Sequence, residues 1–136
     1  MAAIVVLCHN KCFMPRYIAA LLLLLLAGPF NSMRAQSCTA TVETVARQVG
    51  ESVVFCGTPS EVHASNRPDG PVHVNFGGTW PDVSFTVIIF PDVAGDVPAL
   101  VKRLEGKSVQ VTGLVKDYKG KPEIVLKKLN DLVVQE

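Results

Sequence analysis

Apolar and polar side chains alternate strictly over residues 72–76, with Val72, Val74 and Phe76 set against His73 and Asn75. A period of two predicts a strand with one buried and one polar face. The run 85–90, FTVIIF, is the most apolar strand candidate. Phe85, Val87 and Ile89 share one face and Thr86, Ile88 and Phe90 the other, so both faces are expected to be at least partly covered. Residues 52–56, SVVFC, form a further strand run that meets Gly57, where a bulge or bend is expected before the strand resumes through Glu61, Val62 and His63. Between these strands, ASNRPDGP at 64–71 is turn chemistry throughout, and Gly77-Gly78 ends the alternating strand.

The period changes twice. Val42, Val45, Ala46 and Val49 recur at helical spacing behind Thr41, with Gly50 as a stop, and predict a short amphipathic lead-in helix. Val97, Leu100, Val101 and Leu104 do the same behind Asp96 as N-cap, with Pro98 tolerated in the first turn and Gly106 ending the helix. Alternation then returns over 108–118, where Val109, Val111, Gly113 and Val115 oppose Gln110, Thr112, Leu114 and Lys116. Lys119-Gly120 turns the chain and Pro122 opens the last strand, with Ile124 and Leu126 on one side and Glu123, Val125 and Lys127 on the other.

The expected product is an all-β domain with one or two short helices. Its element order is strand, strand, strand, helix, strand, strand, preceded by the lead-in helix. That order matches the five-stranded Greek-key barrel called the OB-fold. The stretches VGESVVFCG, VHVNFGGTWPDVSFTVIIF, LEGKSVQVTGLVKDYKGKPEIVL and LNDLVV resemble the small exported bacterial OB-fold domain proteins, over residues 48–134. The resemblance implies a barrel similar to those of single-strand nucleic-acid-binding domains, in proteins often described only as nucleic-acid-binding-like or of unknown function. It implies no particular activity, since one fold hosts many functions.

Residues 1–35 alter this picture because they read as an export signal. Lys11 and Arg16 precede the uncharged run IAALLLLLLAG at 18–28, which is too short to span a bilayer comfortably. Met14 opens a more compact signal than Met1 and is an alternative start. Cleavage is expected after Ala35, with Ser37 as the alternative, leaving a lead-in segment at 36–50, a barrel domain at 51–136 and no membrane span in the mature form. An uncleaved anchor helix is the competing reading. The location is then exported, periplasmic or secreted. Cys38, at the end of AQSC, also admits lipidation as a minor alternative, although Ala35 and Gln36 fit a lipobox poorly.

Without that segment the formal charge changes sign. The whole chain carries +1, whereas residues 36–136 hold 10 basic and 12 acidic residues, a net of −2. The imbalance is local: residues 102–128 carry eight bases against Glu105, Asp117 and Glu123. A long anionic polymer would find a basic strip there, not a basic domain. Cys8 and Cys12 leave with the signal. Cys38 and Cys56 remain as a disulfide candidate in an oxidising compartment, with Cys56 alternatively a small buried residue.

Catalytic and metal chemistry finds little support. His63 and His73 flank a turn at no recognised ligand spacing, there is no G-x-S-x-G, and Arg47 and Arg103 lie on predicted helices, away from any nuclease-like phosphate clamp. No enzyme activity, metal or cofactor is expected. Single-strand binding needs aromatic faces for stacking and cations along the phosphates. The candidates are His73, Asn75, Trp80, Lys116, Tyr118, Lys119 and Lys121, with Trp80 read either as a stacking face or as a plug at one barrel end. The phenylalanines of the strands read as core. Two functions stay open: a binding module for single-stranded nucleic acid or another linear anionic ligand, and a structural or protein-interaction module of the bacterial cell envelope.

Overall fold

The alternation at 72–76 is realised as a strand (Val72–Phe76) whose Val72, Val74 and Phe76 are completely buried. A computed structural model describes residues 36–136. The expected export signal, with Met14, Cys8 and Cys12, lies outside the described residues. The strands in chain order are β1 (Ser52–Gly57), β2 (Glu61–Ala64), β3 (Val72–Phe76), β4 (Phe85–Ile89), β5 (Ser108–Tyr118), β6 (Lys121–Val125) and β7 (Leu132–Gln135). Two helices, α1 (Pro91–Ala94) and α2 (Val97–Leu104), lie between β4 and β5.

The hydrogen-bonded order is β1-β5-β6-β4-β3-β2, with β7 added on β5, and the seven-stranded sheet is not closed by a ladder between its two ends. Every pairing is antiparallel except β4 with β6. Strand β5 organises the sheet. Its first half lies between β1 on one edge and β7 on the other, and residues 115–118 pair with β6. Gly113 sits where these pairings change over; a Cβ there would stand 2.6 Å from Ile124 Cγ2, so only glycine allows β5 to pass so close to β6.

The core lies on the inner face of the sheet. Phe55, Phe76 and Phe85 are fully buried and pack on one another, with ring centroids 4.4 Å apart for Phe55 and Phe85 and 4.7 Å for Phe55 and Phe76. Helix α2 contributes Leu100 and Leu104 to this core, and Asp96 Oδ1 caps it by accepting from the Ala99 backbone N–H at 3.1 Å.

Three expectations change. The expected five strands are seven. Thr58-Pro59 interrupts the first strand, since Pro59 has no N–H to give a ladder, and Ser60 N–H restarts pairing on the Asn75 carbonyl. At the other end, the edge of β5 that β6 leaves open at 108–111 is taken by β7.

The lead-in helix is a single 3-10 turn, Val45–Arg47. Its periodicity is real only for Val42 and Val45, which pack toward the core, while Ala46 and Val49 are exposed. Thr44 Oγ1 accepts from Thr41 N–H, so hydroxyl groups compete with helical bonds among β-branched residues. The segment is also tied at both ends. Thr39 and Ala40 bond to β1, and Gly50 and Glu51 bond to Val115 of β5. A disulfide between Cys38 and Cys56 pins the first of these ties, with Cα atoms 5.7 Å apart.

The additional helical turn α1 follows from Pro91, preset for a first helical position just past the end of β4.

Candidate ligand-binding groove

The outer face of the sheet is set by parity. Because Val74, Val87 and Ile124 face the core, their neighbours face outward, and the register aligns them in rows. One row runs Glu61, Asn75, Thr86, Glu123, Lys116 across β2, β3, β4, β6 and β5. The next runs His63, His73, Ile88, Val125 across β2, β3, β4 and β6. Tyr118 and Lys121 pair beyond the first row, at the turn between β5 and β6.

A groove of about 400 Å³ follows this face. Trp80, Tyr118, Lys119 and Lys121 line one end, Pro71, His73 and Phe90 the other, and Thr86, Ile88, Glu123 and Val125 the floor. Trp80 is 70% exposed, Tyr118 56% and Phe90 43%, so three aromatic side chains stand open along one depression. This rules out the reading of Trp80 as a plug. Its ring carries the Lys121 ammonium at 5.5 Å from the centroid, and Lys121 Nζ donates to the Pro81 carbonyl. Lys119 Nζ lies 5.2 Å from the Tyr118 ring centroid, and Lys119 takes a positive φ of 52° in the turn, beside Gly120 at 81°. The turn therefore delivers both lysines and the tyrosine to the groove.

The polar groups of the floor are unequal. Asn75 is 3% exposed and engaged at both ends of its amide: its Nδ2 donates to Glu61 Oε2 at 2.7 Å, and its Oδ1 accepts from Thr86 Oγ1 at 3.0 Å. It therefore serves the structure of the groove, with no side-chain end free for a ligand. Glu61 also accepts from the Trp80 backbone N–H at 3.2 Å, which ties the Trp80 loop to β2. These two bonds, the Asn75 one first, hold the Glu61 carboxyl below its ordinary range. Burial pushes Glu123 the other way, above the ordinary carboxylate range, against a smaller opposing pull from Lys116. His73 is depressed by burial and, second, by His63 directly across the strand pair.

Of the seven residues singled out by sequence, His73, Trp80, Tyr118, Lys119 and Lys121 line the groove together. Asn75 lines an adjoining depression with Glu61, His63, His73 and Trp80. Lys116 is exposed on the rim, where it lines a separate depression with Leu114 and Lys127 and faces the groove only through Glu123. Sequence reasoning missed Phe90 and Glu123. The signal was available, since Phe90 shares its parity with Thr86 and Ile88, but which face stays open depends on loops far away in the chain. Among the described residues no group of three or more His, Cys, Asp or Glu stands ready to hold a metal ion. No helix among them is long and apolar enough to cross a membrane.

No protein-family profile matches the chain, and no curated protein matches it. Among solved structures it is similar to a protein from Leishmania major Friedlin assigned as an aspartyl-tRNA synthetase, at 18% identity and a TM-score of 0.46, over 88% of this chain. The chain spans 26% of that protein's length. Similarity at this level transfers neither activity nor ligand.

Proposed function

We propose that the chain is an exported, non-enzymatic binding module built on an OB-type barrel, whose outer groove takes a single-stranded nucleic acid or another linear anionic ligand. The barrel reading is supported by the two ends of the strand order. β1 and β2 are consecutive in the chain, and taken as two halves of one strand bent after Gly57 they join those ends, reducing the set to five strands plus β7. Export is supported by the apolar leader of the sequence and by the Cys38–Cys56 disulfide, a bond of oxidising compartments.

The observation that carries the binding reading is the convergence of Trp80, Tyr118, Phe90, Lys119 and Lys121 on one groove. Stacking faces and cations in a shared channel are what a single strand requires. Trp80 is the sole tryptophan of the chain, so its fluorescence reports on the groove directly. Titration with a short oligothymidylate should give a saturable change that weakens as salt is raised. No saturable change at low salt would overturn the reading.

The net charge of −2 over residues 36–136 favours a second reading, a structural or protein-interaction module of the bacterial cell envelope. Its test is recovery of a defined protein from envelope extract that Tyr118→Ala no longer retains. Retention unchanged by Tyr118→Ala would place that contact away from the groove.

A further inference from the structure

A carboxylate in the floor of a groove for an anionic strand is out of place unless it meets something other than phosphate. Glu123 is such a group. It lies in the floor among Ile88, Val125 and Pro122, and among the described residues neither a hydrogen bond nor an ion pair engages its carboxylate, Lys116 being its cross-strand neighbour. Its row neighbours on β4 and β3 are already engaged with each other, while Lys116 on β5 is exposed on the rim. Thr86 Oγ1 donates to Asn75, and Asn75 donates to Glu61. The lysines that would follow a phosphate backbone, Lys119 and Lys121, stand at the turn end beside Tyr118 and Trp80. A base stacked on Trp80 or Tyr118 would direct its edge at the floor, where Glu123 offers two acceptor oxygens and no donor.

Resting on the nucleic-acid reading above, we infer that Glu123 sets the base preference of the groove. It takes the base that presents two adjacent N–H donors, the N1–H and N2–H of guanine. Two parallel N–H groups match the two oxygens of a carboxylate, the geometry that makes bidentate pairs strong. Thymine and uracil offer one N–H between two carbonyl oxygens, which a carboxylate repels. Cytosine and adenine offer one amino group beside a ring acceptor. Burial already disfavours charge on Glu123, so a ligand that donates twice to it recovers what the floor costs that carboxylate.

The test compares three oligothymidylates of equal length, with the central base left as thymine or replaced by guanine or by hypoxanthine, which keeps N1–H and lacks the amino group. Trp80 fluorescence should show the guanine strand binding about tenfold tighter than the all-thymine strand, with hypoxanthine between them. Glu123→Gln should bring the three affinities together while the all-thymine strand still binds. Thermal unfolding of Glu123→Gln at neutral pH should be no lower than that of the parent. An acid whose folded pKa is raised loses stability as pH rises through that value, and the variant removes the loss. Equal binding of the three strands by the parent, or an unchanged preference in Glu123→Gln, would overturn the base preference alone. Failure of all three strands to bind would overturn both this inference and the nucleic-acid reading beneath it.

Discussion

Strands β3 and β4 present two faces made from alternate residues of the same ten positions, and the two faces behave differently. On the inner face Val72, Val74, Phe76, Phe85, Val87 and Ile89 are all fully buried. On the outer face the alternation brings His73, Asn75, Thr86 and Ile88 together, and Phe90 just past β4 extends it. Their exposure ranges from 3% at Asn75 to 43% at Phe90. The inner face is uniform because one core covers it. The outer face is graded because the Trp80 loop and the β5–β6 turn rise at one end, while the 64–71 loop and Pro71 stand at the other. Burial of a polar residue there reflects local cover and a closed hydrogen-bond chain, as at Asn75, more than membership of the core.

The comparison predicts that changes to the inner face act on stability and changes to the outer face act on binding. Truncating the aromatic cluster with Phe55→Ala should have the largest effect, a loss of about 3–5 kcal/mol in denaturant unfolding. Next comes the strap formed by residues 38–51, whose Thr39 and Ala40 bond along β1. Replacing Cys38 and Cys56 by serine should cost about 3 kcal/mol in the chain-entropy account of a disulfide, read from the midpoint of urea unfolding. A double-cysteine variant as stable as the parent would mean that the hydrogen bonds of Thr39 and Ala40 suffice to hold the strap.

On the outer face the effects should be smaller and of another kind. Trp80→Ala should weaken single-strand binding by about 1–3 kcal/mol, the worth of one stacked base, and shift unfolding by no more than about 0.5 kcal/mol. Since this variant has no tryptophan, fluorescence anisotropy of a labelled strand is the readout. Replacing Lys119 and Lys121 together by alanine should lower the slope of log affinity against log salt by about 1.4, two released counterions for a single strand. An unchanged slope would remove both lysines from the phosphate path. The smallest effect concerns pH. The depressed His73 pKa means that the folded state binds fewer protons than the unfolded one, so stability is complete above the ordinary histidine value near 6.5 and declines as pH falls through the lower folded value. His73→Gln should flatten that decline.

Local periodicity carried most of the inner face into view. The alternation at 72–76, the helix capped by Asp96 and the turn at Lys119-Gly120 are each written in neighbouring residues, and each is found where the pattern puts it, while the first strand breaks just past Gly57, at Thr58-Pro59. Features that depend on distant partners were not visible. The apolar spacing of 42–49 looks helical, yet its ends are claimed by β1 and β5. The residues 132–135 become a strand only because β5 has an edge left over. Five of the seven candidate residues share the groove, since aromatic and basic types near a turn are a local signal. Asn75 was legible as a polar outward residue, but its engagement by Glu61 and Thr86 depends on strand register. The exposure of Phe90 was hidden for the same reason, as nothing near it in sequence tells which loops rise around it.

Backbone amide chemical-shift mapping during titration with a short single strand at low salt locates the binding surface residue by residue. Binding in the outer groove predicts that the largest shifts fall on His73, Trp80, Thr86 and the 118–123 turn, with Val133 on β7 and Arg103 on α2 unmoved. Shifts centred on α2 or β7, or no shifts at all at saturating strand, would contradict the assignment of this face as the binding surface.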